Sequence, residues 1–278
     1  MFIAKLLDPK NDYVFKRIFG YVGNEDITKN LLNSILDIKV NEVRLDCKEI
    51  LEQDLKTDKF GVLDIKAVLN QNMQCNIEMQ MVDRKDIESR LLFYWSKMYN
   101  KQIKIGEEYN ELEKTICILI VNYEIDNLKD YDDFISKWML FENKYRKFIL
   151  TNILEIYILE LPKFEKYVNA SKNKSLNTWV RFLNNPEVID MDNENNEELK
   201  KAKEVLDTIS ADEHEQYLAE QRLIYIMDQK AIHAAGYDKG HKAGIKETAI
   251  KMLENNVDIE TIISCTGLTK DEIEKLKN

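Results

Sequence analysis

Two carboxylates and an amide stand close together in the stretch Phe60 to Met81, FGVLDIKAVLNQNMQCNIEMQM. Asp64 lies in its first half, Glu78 and Gln80 in its second. Oxygen-rich sets of this kind suit phosphodiester hydrolysis, which needs a cation to neutralise charge and lower the pKa of a water, plus a group to orient that water. Mg2+ takes oxygen ligands, commonly one or two carboxylates together with waters and substrate phosphate. Asp64 and Glu78 would be the carboxylate ligands, and the backbone carbonyl of Met79 would complete the protein's share. Gln80, two residues beyond Glu78 and on the same strand face, would position the nucleophile. The same residues also describe a half-exposed amphipathic strand whose polar side chains do no chemistry. A D…ExQ spacing is a short motif, and the rest of the chain decides between these readings.

Two strands would bring these groups together. In Val62 to Val68, the two-residue period sets Asp64 and Lys66 on one face with Val62 and Val68. In Cys75 to Met81, Asn76, Glu78 and Gln80 share one face, and Ile77, Met79 and Met81 the other. Asn70-Gln71-Asn72 supplies the turn. Upstream, residues 8–20 (DPKNDYVFKRIFG) predict a helix with Asp8 as cap, Pro9 at the first helical position and Gly20 as the stop. Asp12 and Lys16 lie on one side of it. A second helix is expected at about 25–36 and a strand with its exit at 40–52. Downstream, residues 84–104 predict a helix with Ile87, Leu91, Tyr94, Trp95 and Met98 as its buried stripe. Thr115 to Val121 (TICILIV) reads as a buried central strand. After a polar stretch, Ile153 to Leu161 reads as another strand, closed by Pro162. This order predicts an α/β (α+β) core in which helices cover a mixed sheet.

The remainder reads as helical. Residues 187–198 form an acidic loop, and the helical pattern runs from Glu204 to about Lys251. That helix carries Gly236, Gly240 and Gly244, each costing about 1 kcal/mol against Ala. A row of three on one face implies close approach of another helix, from a second subunit, or else a flexible connector. Asp258 to Asn278 reads as two short helices, the second opened by a Thr269-x-x-Glu272 capping box. The unit resembles a small helix-turn-helix. Its acidic surface favours assembly or tail packing over DNA reading.

Composition narrows the setting. The chain has 278 residues, 44% hydrophobic and 32% charged, which is ordinary for a globular protein and not for a disordered one. No run approaches the roughly 20 apolar residues of a membrane span, and the N-terminus lacks the pattern of a secretory signal. Cys47, Cys75, Cys117 and Cys265 are scattered, and His214, His233 and His241 all fall late. A zinc site and a disulfide framework are therefore not expected, and a reducing cytoplasm is the default. The net charge of −10 is unevenly spread. Glu187 to Glu220 holds 12 acidic and 3 basic residues, whereas Lys137 to Arg181 holds 9 basic and 4 acidic. A phosphate backbone could approach the second region; a solvated mixed surface would have the same counts.

Several blocks, in order, resemble the Rpn family, recombination-promoting nucleases or transposases of the PD-(D/E)xK nuclease superfamily. They are DYVFKRIFG at 12–20, LDIKA at 63–67, NIEMQ at 76–80, SRLLFYWSKMYNKQIKIGEEY at 89–109 and LELPKF at 159–164. The spaced glycines and IETIISCTGLTKDEIEKL also look like that family's C-terminus. The resemblance implies a restriction-endonuclease-like core over residues 1–165, followed by a helical acidic region at 166–230 and a glycine-spaced tail at 231–278. It implies Mg2+-dependent cleavage of DNA. Asp64 matches the superfamily's strand aspartate, Glu78 its acidic partner, and Gln80 the place usually held by lysine. Glutamine there is typical of the family but supplies no positive charge. Asp12 matches an acidic position of the first helix, with a surface or cap residue as its bland reading. Lys66 is either a migrated lysine or an ordinary strand lysine. Arg90, Tyr94 and Gln102 match the family's helix pattern, Arg90 as a phosphate contact or a salt-bridge partner. The expectation is a cytoplasmic, metal-dependent DNA endonuclease, dimeric through its C-terminal helices and without membrane contact. The alternatives are a DNA-binding or assembly protein that keeps the fold without turnover, and a regulatory component working through its helical tail.

Overall fold

A computed structural model describes residues 6–46, 55, 64–83, 85–169 and 171–276. The contacts divide it into two compact units, Met1–Ile226 and Met227–Asn278.

The first unit is a mixed six-stranded sheet with helices against it, its strands in the order β1 (Val43–Leu45), β2 (Ile65–Leu69), β3 (Met73–Gln80), β4 (Thr115–Val121), β6 (Ile149–Glu160), β5 (Ile135–Phe141). The chain opens with a turn at Asp8-Pro9-Lys10-Asn11, closed by Asn11 N–H donating to Asp8 O at 3.0 Å. Proline suits the second place of such a turn, so Pro9 precedes the helix instead of beginning it. The cap of α1 (Asp12–Phe19) is Asn11, not Asp8; its side chain accepts from the Tyr13 N–H. Gly20 closes α1 as expected. A Cβ there would come within 2.9 Å of Ile65 Cγ1, so the end of α1 and the start of β2 (Ile65–Leu69) meet too closely for a side chain. After α2 (Glu25–Ile35) come β1 (Val43–Leu45), β2 and β3 (Met73–Gln80). Of the strand expected at 40–52 only Val43–Leu45 is formed among the described residues, and positions 47–52, like Val62, lie outside them. The β2–β3 turn is at Asn70-Gln71-Asn72, with Asn70 at φ +53°, a conformation that asparagine tolerates.

Helix α3 (Ile87–Asn100) buries Ile87, Leu91 and Tyr94. It is followed by β4 (Thr115–Val121), buried along its whole length. β3 and β4, and β4 and β6 (Ile149–Glu160), pair in parallel, whereas β2 with β3 and β5 (Ile135–Phe141) with β6 are antiparallel. β5 is an edge strand that the sequence reading passed over as polar, and β6 starts four residues earlier than expected. Short helix α4 (Phe164–Tyr167) leads to α5 (Lys174–Asn184) and α6 (Glu197–Ala211). Asp212 then interrupts the helical run, capping α7 (Glu213–Glu254) through the N–H groups of His214 and Glu215.

The alternation of the strands divides the core by sheet face. Ile65, Ala67, Ile77, Met79, Ile116, Ile118 and Tyr157 pack with α1, α2, α5 and α6. Cys117, Leu119, Val121, Ile156 and Ile158 pack with Ile87 and Leu91 of α3.

In the second unit, α8 (Ile259–Thr266) and α9 (Lys270–Lys275) gather Ile262 and Ile273 around Ala249. Gly267 ends α8 at φ +69°, and the Thr269/Glu272 capping box opens α9. Gly236, Gly240 and Gly244 lie within α7, and a Cβ at any of them would meet nothing within 4 Å. Among the described residues, no helix is long and apolar enough to cross a membrane.

Candidate active site

The β2–β3 register pairs Ile65 with Ile77 and Lys66 with Asn76. Continued one residue, it sets Asp64 across from Glu78, where facing side chains of an antiparallel pair have Cβ atoms about 5 Å apart. Both therefore point to the sheet face covered by α3, along with Asn76 and Lys66. Glu78 is buried, and its Oε1 lies 3.8 Å from the Arg90 guanidinium of α3. Arg90 also stands over the ring of Tyr94, 5.2 Å from its centroid.

Asp64 is the perturbed carboxyl. Desolvation pushes its pKa up from 3.8 to about 6, against the nearby charge of Lys66, a hydrogen bond from the Asn76 side chain, and the charges of Arg90 and Lys16. Three cations and an amide thus fail to offset the cost of burying this carboxylate. Cys117 of β4 adjoins the same site: burial raises its thiol pKa, and the charges of Glu78 and Asp64 act in the same direction.

A pocket of about 320 Å³ opens beside Asp64. Lys66 and Asn76 line it from the sheet, Tyr94 and Lys97 from α3, and Lys101 from the cap at the end of that helix. The buried Oδ1 of Asn76 has no hydrogen-bond partner among the described residues. The lysines of this wall escaped the sequence reading, although Tyr94, Lys97 and Lys101 recur at the three- and four-residue spacing of one helix face.

Gln80 lies past the β2 ladder. Its Nε2 donates to Val82 O at 3.3 Å, which leaves its Oε1 as the acceptor that could orient a water. The Gln80 carbonyl accepts from Asn122 N–H on the β4 side. Successive carbonyls of a strand alternate between its two edges, so the Met79 carbonyl points toward the β2 edge, on which Asp64 lies. Asp12 is differently placed. Arg222 Nε and Nη2 donate to its two carboxylate oxygens at 2.6–3.0 Å, and the Tyr13 N–H donates to Oδ1 at 3.0 Å. Of the predicted site residues only Asp64 lines the pocket; Asp12, Glu78, Met79 and Gln80 do not. The structure thus brings Asp64, Glu78 and Asn76 together, with the Met79 carbonyl at the same strand edge, and ties Asp12 to α7.

The donors fit a hard cation: they are all oxygens, one of them a carboxylate that burial leaves poorly compensated. Among the described residues, no three His, Cys, Asp or Glu side chains gather as a metal cage. An ion here would keep waters or substrate oxygens in its shell, as Mg2+ does.

The family model of PD-(D/E)XK nuclease family transposases matches residues 9–236. The chain belongs to that family. The match spans the sheet, the α3 wall and the part of α7 that holds Asp12. The mixed sheet flanked by helices is consistent with a restriction-endonuclease-like fold. Membership supports a nuclease-like function, and nucleases of this family typically use divalent cations. No curated protein and no solved structure matches the chain.

Proposed function

We propose that this protein is a Mg2+-dependent DNA endonuclease acting in recombination, transposition or defence. The observation that carries this reading is Asp64: a carboxyl opposite Glu78, with its pKa raised to about 6 in spite of neighbouring cations, in a chain of a nuclease family. Asp64, Glu78 and the Met79 carbonyl would hold the cation, which when bound supplies charge neutralisation and a more acidic water. The chain's own groups do the rest. Arg90 balances Glu78 and fixes its carboxylate. Lys97 and Lys101 face the approach to Asp64 and attract phosphate. Gln80, tied by its amide nitrogen, presents its oxygen to the attacking water, and Lys66 beside Asp64 supplies the positive charge that glutamine lacks. Asp12 acts at one remove by anchoring α1 through Arg222.

The reading places the protein in the cytoplasm, in keeping with the free thiols of Cys75, Cys117 and Cys265. It also makes it a homodimer through the C-terminal helices, where the Gly236, Gly240 and Gly244 face has room for a partner helix. Replacing Gly240 with Leu should then halve the mass in solution.

The test of the site is plasmid cleavage with Mg2+ by wild type, Asp64→Ala and Glu78→Ala. Each substitution should lower the rate at least about a hundredfold, the scale on which a polarising group contributes. Cleavage that survives both would remove the site. DNA binding without nicking under any divalent ion would instead favour a binding protein that keeps the fold. The fixed Gln80 amide in the lysine position is the observation that gives this second reading its weight.

A further inference from the structure

The β5–β6 hairpin carries the most conspicuous surface that the site leaves unexplained. β6 pairs with β4 from Leu154 onward, opposite Thr115. The hairpin ladder continues past that point through Leu140 with Thr151 and Phe141 with Ile149. At about 3.3 Å per residue, residues 149–153 carry the arm roughly 16 Å beyond the end of β4. The arm exposes Phe141 (46%), Tyr145 (52%), Phe148 (56%) and Leu150 (81%). Among these sit Lys144, Arg146 and Lys147, with Glu142 as the one acid between 138 and 150. Lys144 lies over the Tyr145 ring and Lys147 over the Phe148 ring, at 4.9 and 5.2 Å.

The tip is a built turn. Glu142 N–H donates to Phe148 O and Phe148 N–H to Tyr145 O, each at 2.9 Å, while the Glu142 carboxylate accepts from Tyr145 N–H. The one acid is therefore used to shape the turn, and the three cations are turned outward. The arm also projects from the end of the sheet at which Gln74, a residue of the pocket wall, pairs with Thr115.

We propose that residues 138–150 form an arm that grips unpaired nucleic acid, with Lys144, Arg146 and Lys147 on phosphates and Tyr145 and Phe148 stacked on bases. This rests on the reading of the substrate as DNA. Flat rings interleaved with cations are what a single strand needs, because every base offers a face for stacking and every nucleotide a phosphate. On a chain of net charge −10, a basic arm also steers a polyanion to one place. A second copy of the chain is a poorer fit, because a two-fold contact would set the three cations of one arm against those of the other.

The test is fluorescence anisotropy of the full-length protein with labelled oligothymidylate and with a labelled duplex, in EDTA, over a salt series. The Lys144→Ala/Arg146→Ala/Lys147→Ala variant should bind the single strand at least about tenfold more weakly, and its salt slope should fall by about 2. The Tyr145→Ala/Phe148→Ala variant should lose about tenfold or more on the single strand and little on the duplex. All five positions are exposed, and an unchanged circular dichroism melt confirms that the variants fold. Unchanged affinity in both variants overturns the proposal, as does unchanged affinity with a reduced mass in light scattering, which would make the arm a contact between copies. A wild type that binds through the arm but never cuts refutes the nuclease reading alone; one that cuts without needing the arm refutes the arm alone.

Discussion

The carboxylates within the first unit are treated in two opposite ways, three of them buried and one, Asp64, half-buried. Glu155, Glu160 and Asp12 are compensated at short range. Glu155 has Lys114 at 2.7 Å, Lys137 at 3.2 Å and the Tyr157 hydroxyl at 3.1 Å. Glu160 has Lys163 at 2.9 Å and takes the Ile125 N–H at 2.8 Å. Asp12 has the fork of Arg222. Asp64 is treated differently: although the Asn76 side chain donates to it and Lys66, Arg90 and Lys16 lie nearby, its pKa is held up near 6. A carboxylate with short, well-directed donors is satisfied and serves the fold. One whose charge stays costly among cations is a place where a mobile cation would be favourable. The contrast separates Asp12 from Asp64 more clearly than the matching of either to a family pattern.

The largest effect should come from breaking a satisfied pair. Arg222→Ala leaves Asp12 buried without its guanidinium and removes one of the holds of α7 on α1, beside those that Glu215 makes with Tyr13 and Arg17. Urea denaturation should show a loss of about 3–5 kcal/mol, as for other buried pairs deprived of one member. The double variant Arg222→Leu/Asp12→Leu should recover a good part of it. A loss under about 1 kcal/mol would return Asp12 to the list of candidate reacting groups. Glu160→Gln keeps the shape but removes the charge facing Lys163, and a smaller loss of about 2 kcal/mol is expected.

Much of this arrangement was legible in the residues. Periodicity placed β4 to the residue, the buried stripe of α3 and the alternation of Asp64, Asn76, Glu78 and Gln80, because successive side chains of a strand go to opposite faces and an amphipathic helix must repeat. Three features were not legible. β5 was missed because ISKWMLF, at the sheet edge, is buried mainly at its start and mixes polar and apolar residues without a clean period. The cap of α1 was misplaced because Asp8 and Asn11 are equally good caps, and only the Pro9 turn decides between them. The partner of Asp12 lies 210 residues away, a separation no local pattern encodes.

The next effect in size concerns the cation. If Asp64 and Glu78 form its seat, Mg2+ or Mn2+ should stabilise wild type by up to about 2.7 kcal/mol at a hundredfold excess over Kd. It should do nothing for Asp64→Asn, while Glu155→Gln should keep the full response. Equal stabilisation of wild type and Asp64→Asn would place the cation elsewhere and dissolve the contrast between Asp64 and the satisfied carboxylates.

The smallest effect is the most discriminating, because its sign is opposite to the others. In the unfolded chain Asp64 titrates near 3.8, and in the fold near 6. A group whose pKa is raised by folding favours the fold fully below its unfolded value, and that contribution is lost as pH climbs through the folded value. Wild type should therefore lose stability between about pH 4 and pH 6 on account of this one carboxyl. Asn at position 64 has no such charge to bury. Without metal, Asp64→Asn should match wild type at pH 4 and exceed it at pH 8 by about 1–2 kcal/mol, after discounting for the partial exposure of the side chain. Glu160→Gln should destabilise at the same pH 8. Parallel urea titrations at both pH values test the pair. If Asp64→Asn were also destabilising at pH 8, then Lys66, Arg90 and Lys16 would already satisfy Asp64, and the fold would have no need of a cation there.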